Sequence, residues 1–179
     1  MEHLTEILAK EGYPLNHKYI RSARPLTRDE LESLKKAMYL VDTLCSPFKR
    51  LSSITWSFYA FSDGELPFPH THGRHIMLPI AWIKKLHTQN TEAIAKTLVH
   101  ELIHIFQRFF PLESNALLRD AWNIQIVGEG KSLIRDNPDL NWVRYTGHGD
   151  SEHPFELMAY RLADVIIEGG NIEYLRRYL

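Results

Sequence analysis

Apolar residues recur every three or four positions in several stretches of the chain, and most of these stretches carry their own start and stop signals. Thr27 opens the first long one: Glu30 completes a capping box, and Leu31, Leu34, Ala37, Met38, Val41 and Leu44 follow on one face until Pro47. A second spans residues 91–110, with Ile94, Leu98, Leu102 and Ile105 as its stripe. Thr91 is placed to cap its start, Glu92 suits the positive end of its dipole, and Pro111 stops it. A third spans residues 152–168, with Pro154 in its first turn and Gly169-Gly170 behind it. Phe155, Met158, Leu162, Val165 and Ile166 form its main stripe, while Glu156, Ala159, Tyr160 and Ala163 share another face whose alanines let a neighbouring helix come close. Shorter helices are predicted over residues 3–10, 80–86, 114–122 and 171–177.

Between the first two long helices the pattern changes. Residues 53–61 are rich in β-branched and aromatic side chains and Asp63-Gly64 is a turn signal, so a hairpin is expected between this strand and a second over residues 74–78. The segment GRHIML, residues 73–78, is read as the edge strand of a small sheet. Just before it, PFPHTHGRH brings His70, His72 and His75 into six positions. Alternate residues of a strand face one way, so His70 and His72 could share a metal if the piece is extended. With no carboxylate or cysteine beside them, the favoured reading is a proline-rich loop with exposed histidines and no role in catalysis. Residues 137–150, NPDLNWVRYTGHGD, read as a loop able to line a cleft.

Length and composition narrow the class. A chain of 179 residues with 44% hydrophobic and 24% charged residues is ordinary for one globular domain. The balance of 21 basic and 22 acidic residues gives no sign of a nucleic-acid partner. Cys45 is the lone cysteine, which excludes an intrachain disulfide and favours a reducing, cytoplasmic home. The first fifteen residues lack the basic start and apolar block of a signal peptide, and no later run has the length of a membrane span.

The second long helix carries the chemistry. His100, Glu101 and His104 spell HExxH: histidines four apart lie one above the other on a helix face, within reach of one metal ion. Glu101 points about 100° around the helix from His100, where it can hold a metal-bound water without being a ligand. Two histidines and a glutamate on a largely buried helix need partners, and a metal would satisfy all three.

At these residues the chain resembles the zincins, the metallopeptidases whose HExxH helix binds zinc. A catalytic zinc usually has three protein ligands and a water, so one ligand remains to be found. The metzincin pattern fails, because Gln107 and Phe110 stand where that class has glycine and histidine. Glu156-Leu-Met-Ala159 resembles the third-ligand segment of the gluzincins, a glutamate followed three residues on by alanine. Rival ligands are Asp150, His148, His153, Glu113 and Glu129; Glu113 follows the helix-ending proline too closely, and Glu129 sits between glycines. The resemblance implies a single α+β zincin-like domain, mainly helical, with a small sheet whose edge strand borders the active-site cleft. It implies one zinc per chain held by His100, His104 and Glu156, with Glu101 as general base for hydrolysis of a peptide or protein substrate. Candidate donors to the reacting carbonyl are Tyr160, Tyr145, His148 and His153. Competing readings are a non-catalytic zinc protein that binds peptides and a zinc-dependent amidase acting on a small substrate. Retention of Glu101 speaks against the first, because a purely structural site does not require it.

Overall fold

In the computed structural model, which describes residues 4–13, 15, 18–62, 66–122, 126–128, 143–145, 154–170 and 172–179, local signals and tertiary packing share the work of setting the elements. In chain order the elements are α1 (Leu4–Lys10), α2 (Lys18–Ser22), β1 (Arg24–Pro25), α3 (Arg28–Cys45), α4 (Lys49–Ser52), β2 (Ser57–Phe61), β3 (His70–His72) and β4 (His75–Pro79). There follow α5 (Ile80–Lys84), α6 (Thr91–Phe109), α7 (Pro111–Ala116), β5 (Ile126–Gly128), β6 (Val143–Tyr145) and α8 (Pro154–Glu168). Short 3-10 turns at Leu86–Thr88 and Glu173–Arg177 and a π turn at Leu117–Ala121 complete the set. The described part is mainly helical with a small sheet, an α+β arrangement, and none of its helices is long and apolar enough to cross a membrane.

The capping box forms as read: the Glu30 amide donates to the Thr27 hydroxyl and the Thr27 amide to the Glu30 carboxylate. Helix α3 then buries Leu34, Ala37, Val41 and Cys45, while Leu31, expected on the buried face, is 41% exposed. Burial and the charge of Asp42 push the Cys45 thiol up to about 12, so it packs as a small apolar group. Helix α6 is capped one residue earlier than expected, by Asn90, whose side chain accepts from the Ala93 amide at 2.7 Å. The reason is geometric: Asn90 has the extended backbone a cap needs, and Thr91 is already helical. Helix α7 begins at Pro111 rather than Ser114, using the proline as its first residue. Gly169, at φ +74°, ends α8 as expected, with its amide and that of Gly170 donating to the Val165 carbonyl.

The sheet departs from the expected hairpin. Its order is β1-β2-β4-β3, with β2 parallel to β4 (Ser57 opposite His75, Tyr59 opposite Met77) and β3 antiparallel to β4 (His70 opposite Met77, His72 opposite His75). The tight turn at Gly73-Arg74 brings β3 directly against β4, so the hairpin joins these two strands. Strand β4 is therefore interior and buried along its whole length, and the edges are β1 and β3. The same geometry corrects the reading of the histidines: His70, His72 and His75 are strand residues, and His72 and His75 are buried.

The two faces of the sheet serve different cores. Ala60, Ile76 and Leu78 join the main core with α3, α6 and α8. Tyr59, Phe61 and Met77 face the other way and pack with Leu4, Leu8 and Ile20 from α1 and α2. The three histidines belong to this outer side, each set against an aromatic ring: His70 on Phe61, His72 on Tyr13 and His75 on Tyr59. Helix α6, with Ile94, Ala95, Leu98, Val99, Leu102, Ile103, Ile105 and Phe106 buried, runs through the main core and is flanked by α3 and α8.

Candidate metal centre

Two helices build the site. On α6 the four-residue spacing sets the rings of His100 and His104 edge to face, with centroids 4.7 Å apart and Nε2 atoms 3.0 Å apart. On α8 the alanines do what their face suggests: Ala159 and Ala163 are fully buried, so α8 lies close along α6 and brings the first-turn residue Glu156 to the histidines. Its Oε2 is 3.5 Å from Nε2 of His100 and its Oε1 is 3.3 Å from Nε2 of His104. Among the described residues, these three side chains form a group whose ligand atoms all lie within 4.8 Å of one another.

The donor set and its spacing fit zinc. Zinc binds imidazole nitrogen and carboxylate oxygen at about 2.0–2.1 Å, so tetrahedral ligands stand about 3.3–3.4 Å apart. The observed separations of 3.0, 3.3 and 3.5 Å bracket that value. Exposure decreases from Glu156, 39% exposed, through His100 to His104, so the site is reached from solvent on its α8 side.

Electrostatics differ sharply among the carboxylates. Burial alone would raise the Glu156 carboxyl, but hydrogen bonds to His100 and His104 and their charge hold it well below the usual range. Glu101 is 4% exposed, and its Oε2 is buried with no hydrogen-bond partner among the described residues. Burial pushes its carboxyl up to about 8, with Glu156 adding to the rise and His104 and Arg108 opposing it. Burial also works against a charge on His104, yet Glu156, Glu101 and Gln107 together raise its ring above the ordinary value.

Of the expected carbonyl donors, Tyr160 reaches the site: its ring lies 4.5 Å from that of His100 and the residue is half exposed. Tyr145 lies in β6, where only its backbone is described; His148, His153, Asp150 and Glu129 lie outside the described residues. Glu113 is engaged elsewhere, 3.1 Å from Arg50. The histidines of β3 and β4 lie on the sheet's outer side, and His75 bonds Ser57 and Glu11. One neighbour escaped the sequence reading. Gln107, nearly fully buried, places Oε1 2.9 Å from Nδ1 of His104 and donates from Nε2 to the Phe155 carbonyl at 2.8 Å. Its signal was present: a lone amide three residues beyond the second histidine, on a helix with a long apolar stripe. Arg108, one turn beyond His104, ties α6 to the edge strand by donating to the Thr71 hydroxyl and the Gly73 carbonyl. Compared with known protein families, characterised proteins and solved structures, the chain matches none.

Proposed function

We propose that the chain is a zinc-dependent hydrolase that cleaves peptide bonds, with His100, His104 and Glu156 as the metal ligands. The observation that carries this reading is the convergence of two imidazole nitrogens and a carboxylate at 3.0–3.5 Å, beside a buried glutamate directly following the first histidine. Three acceptor groups turned toward one point repel one another unless a cation or a proton lies between them, and zinc answers that need at the spacing observed.

Zinc at this point would act as a Lewis acid and bring the pKa of a water toward neutrality. The protein's part falls to Glu101, which directly follows the first histidine and, without being a ligand, would serve as the general base. It accepts the proton of the attacking water and returns it to the leaving nitrogen. Tyr160, beside His100 and half exposed, would be the donor to the carbonyl oxygen as charge develops there.

Elemental analysis of protein purified without added metal should find about one zinc per chain, as a single three-ligand site requires. Glu101→Gln should keep that zinc and lose peptide hydrolysis by roughly 10²–10⁴-fold, the usual contribution of a general base. A chain that neither carries zinc nor binds it on titration sinks the proposal. Zinc retained with no hydrolysis of any peptide by the wild type turns the reading to a peptide-binding protein.

A further inference from the structure

We infer that Gln107 is the positioning residue of this centre: it fixes the His104 ring with the proton on Nδ1 and Nε2 turned to the metal position, and it joins the helix of the two histidines to the first turn of the helix that carries Glu156. The inference rests on the zinc reading above. Gln107 follows His104 by three residues, so both occupy one face of α6, and it is 2% exposed. Its amide makes two contacts, Nε2 to the Phe155 carbonyl at 2.8 Å and Oε1 to Nδ1 of His104 at 2.9 Å.

The first contact determines the second. A carbonyl can only accept, so the NH₂ end of the amide faces Phe155 and the oxygen end faces His104. That oxygen also only accepts, so Nδ1 must hold the proton and donate it. Nε2 is then the ring nitrogen that faces His100 and Glu156 and can exchange a proton for a metal, the arrangement a metal-binding histidine requires. Turning the amide over would set its oxygen against the Phe155 carbonyl, so the orientation is locked. Because Phe155 directly precedes Glu156, the same side chain also holds the backbone next to the third ligand. His100 has no such support: its Nδ1 is buried with no hydrogen-bond partner among the described residues.

A role in packing alone does not account for this residue. A buried amide is unfavourable unless its bonds are made, and a leucine of similar size would pack α6 on α8 without that requirement. The test is zinc affinity, measured on the full chain by competition with a chromophoric chelator, for wild type, Gln107→Leu and Gln107→Glu. Loss of a residue that orients a metal-binding histidine weakens binding by about 10–100-fold, and that is the loss expected for Gln107→Leu. Gln107→Glu keeps an acceptor for Nδ1 and is expected to lose clearly less. Wild-type affinity in Gln107→Leu, or an equal loss in both variants, overturns the inference while leaving the zinc reading intact. A wild type that binds no zinc overturns both. Independently of how the variants fold, nitrogen NMR of the zinc-loaded wild type reads the His104 ring: a proton on Nδ1 with the metal on Nε2 is expected, and metal bound through Nδ1 overturns the inference.

Discussion

Three glutamates illustrate how surroundings, and not residue type, set the behaviour of a side chain in this protein. Glu101 is walled off from water and held at about 8, Glu156 is drawn low by two imidazoles, and Glu30 at the start of α3 is lowered to about 2. For Glu30 the main cause is a two-pronged hydrogen bond from Arg24, 2.7 Å on each oxygen, with the Thr27 amide adding to it. A carboxyl depressed on folding contributes stability above its ordinary pKa of 4.5, and that contribution is lost as pH falls toward about 2. Arg24 is 41% exposed, so the pair is partly screened by solvent and is expected to contribute only about 0.5–1 kcal/mol. Glu30→Gln should therefore lower stability by that amount at neutral pH, and the gap between the variant and wild type should close as pH drops from about 5 toward 2. Urea unfolding of both proteins across this range measures it; a gap that stays constant with pH assigns the effect to the cap and not to the carboxylate charge. At this scale the pairing of His100 with His104 was legible from the helical period, and Glu156 was picked out by its resemblance to the gluzincin third-ligand segment. Gln107 was not recognised, because its role depends on the Phe155 carbonyl, forty-eight residues away.

Helix α8 meets α6 through small residues, and that closeness lets a carboxylate on one helix reach histidines on the other. Ala159 is 0% and Ala163 1% exposed, so neither position has room for a larger side chain. Enlarging either to leucine should cost about 1–3 kcal/mol through overpacking. The two substitutions should part in their effect on the metal. Ala159 is three residues from Glu156 and shares its turn, so Ala159→Leu is expected to displace the carboxylate and weaken zinc binding as well as stability. Ala163 lies two turns from Glu156, beside Asp164, which pairs with Lys96, and Ala163→Leu should reduce stability with a smaller effect on zinc. Thermal unfolding and zinc titration of the two variants decide this; equal zinc loss in both shows that α8 moves as a rigid body. The helices were readable because each has a sustained period and a stop. The sheet was less so: the uninterrupted IMLPI run signals an interior strand buried on both faces, yet its alternation-poor pattern was read as an edge, and pairing partners follow from topology that short strands do not encode.

For the molecule as a whole, the sheet separates the main core, to which α6 and α8 belong, from a second, smaller core formed with the N-terminal helices. The first helix was evident from Leu4, Ile7 and Leu8, but its docking site was not, because the contacts join residues some fifty to seventy positions apart. Glu11 accepts from Arg74 at 3.0 and 3.1 Å and lies 3.3 Å from Nε2 of His75, while Tyr13 packs on His72. Gly73, in the turn between β3 and β4, is what lets this segment seat. Its φ is +59°, and a Cβ there would stand 2.8 Å from the Tyr13 ring and 3.3 Å from the Glu11 carboxylate. Gly73→Ala is thus doubly opposed: the left-handed backbone alone costs about 1–2 kcal/mol for a residue with a Cβ, and the ring must also move. The turn holds its place in the sheet, so the N-terminal segment, which meets Gly73 through Tyr13 and Glu11, is the part expected to yield. Hydrogen exchange in α1 should accelerate in Gly73→Ala while α6 and α8 keep their protection, and zinc content should not change, since the two helices that carry the candidate ligands pack in the main core, apart from the cluster around α1. Loss of zinc alongside release of α1 would mean that the outer layer supports the centre through the β3–β4 hairpin, by way of Arg108, which spans from α6 to Thr71 and Gly73. Substituting Arg108 by methionine would then reproduce the zinc loss with α1 still docked, and the two variants together locate the coupling in the hairpin or exclude it.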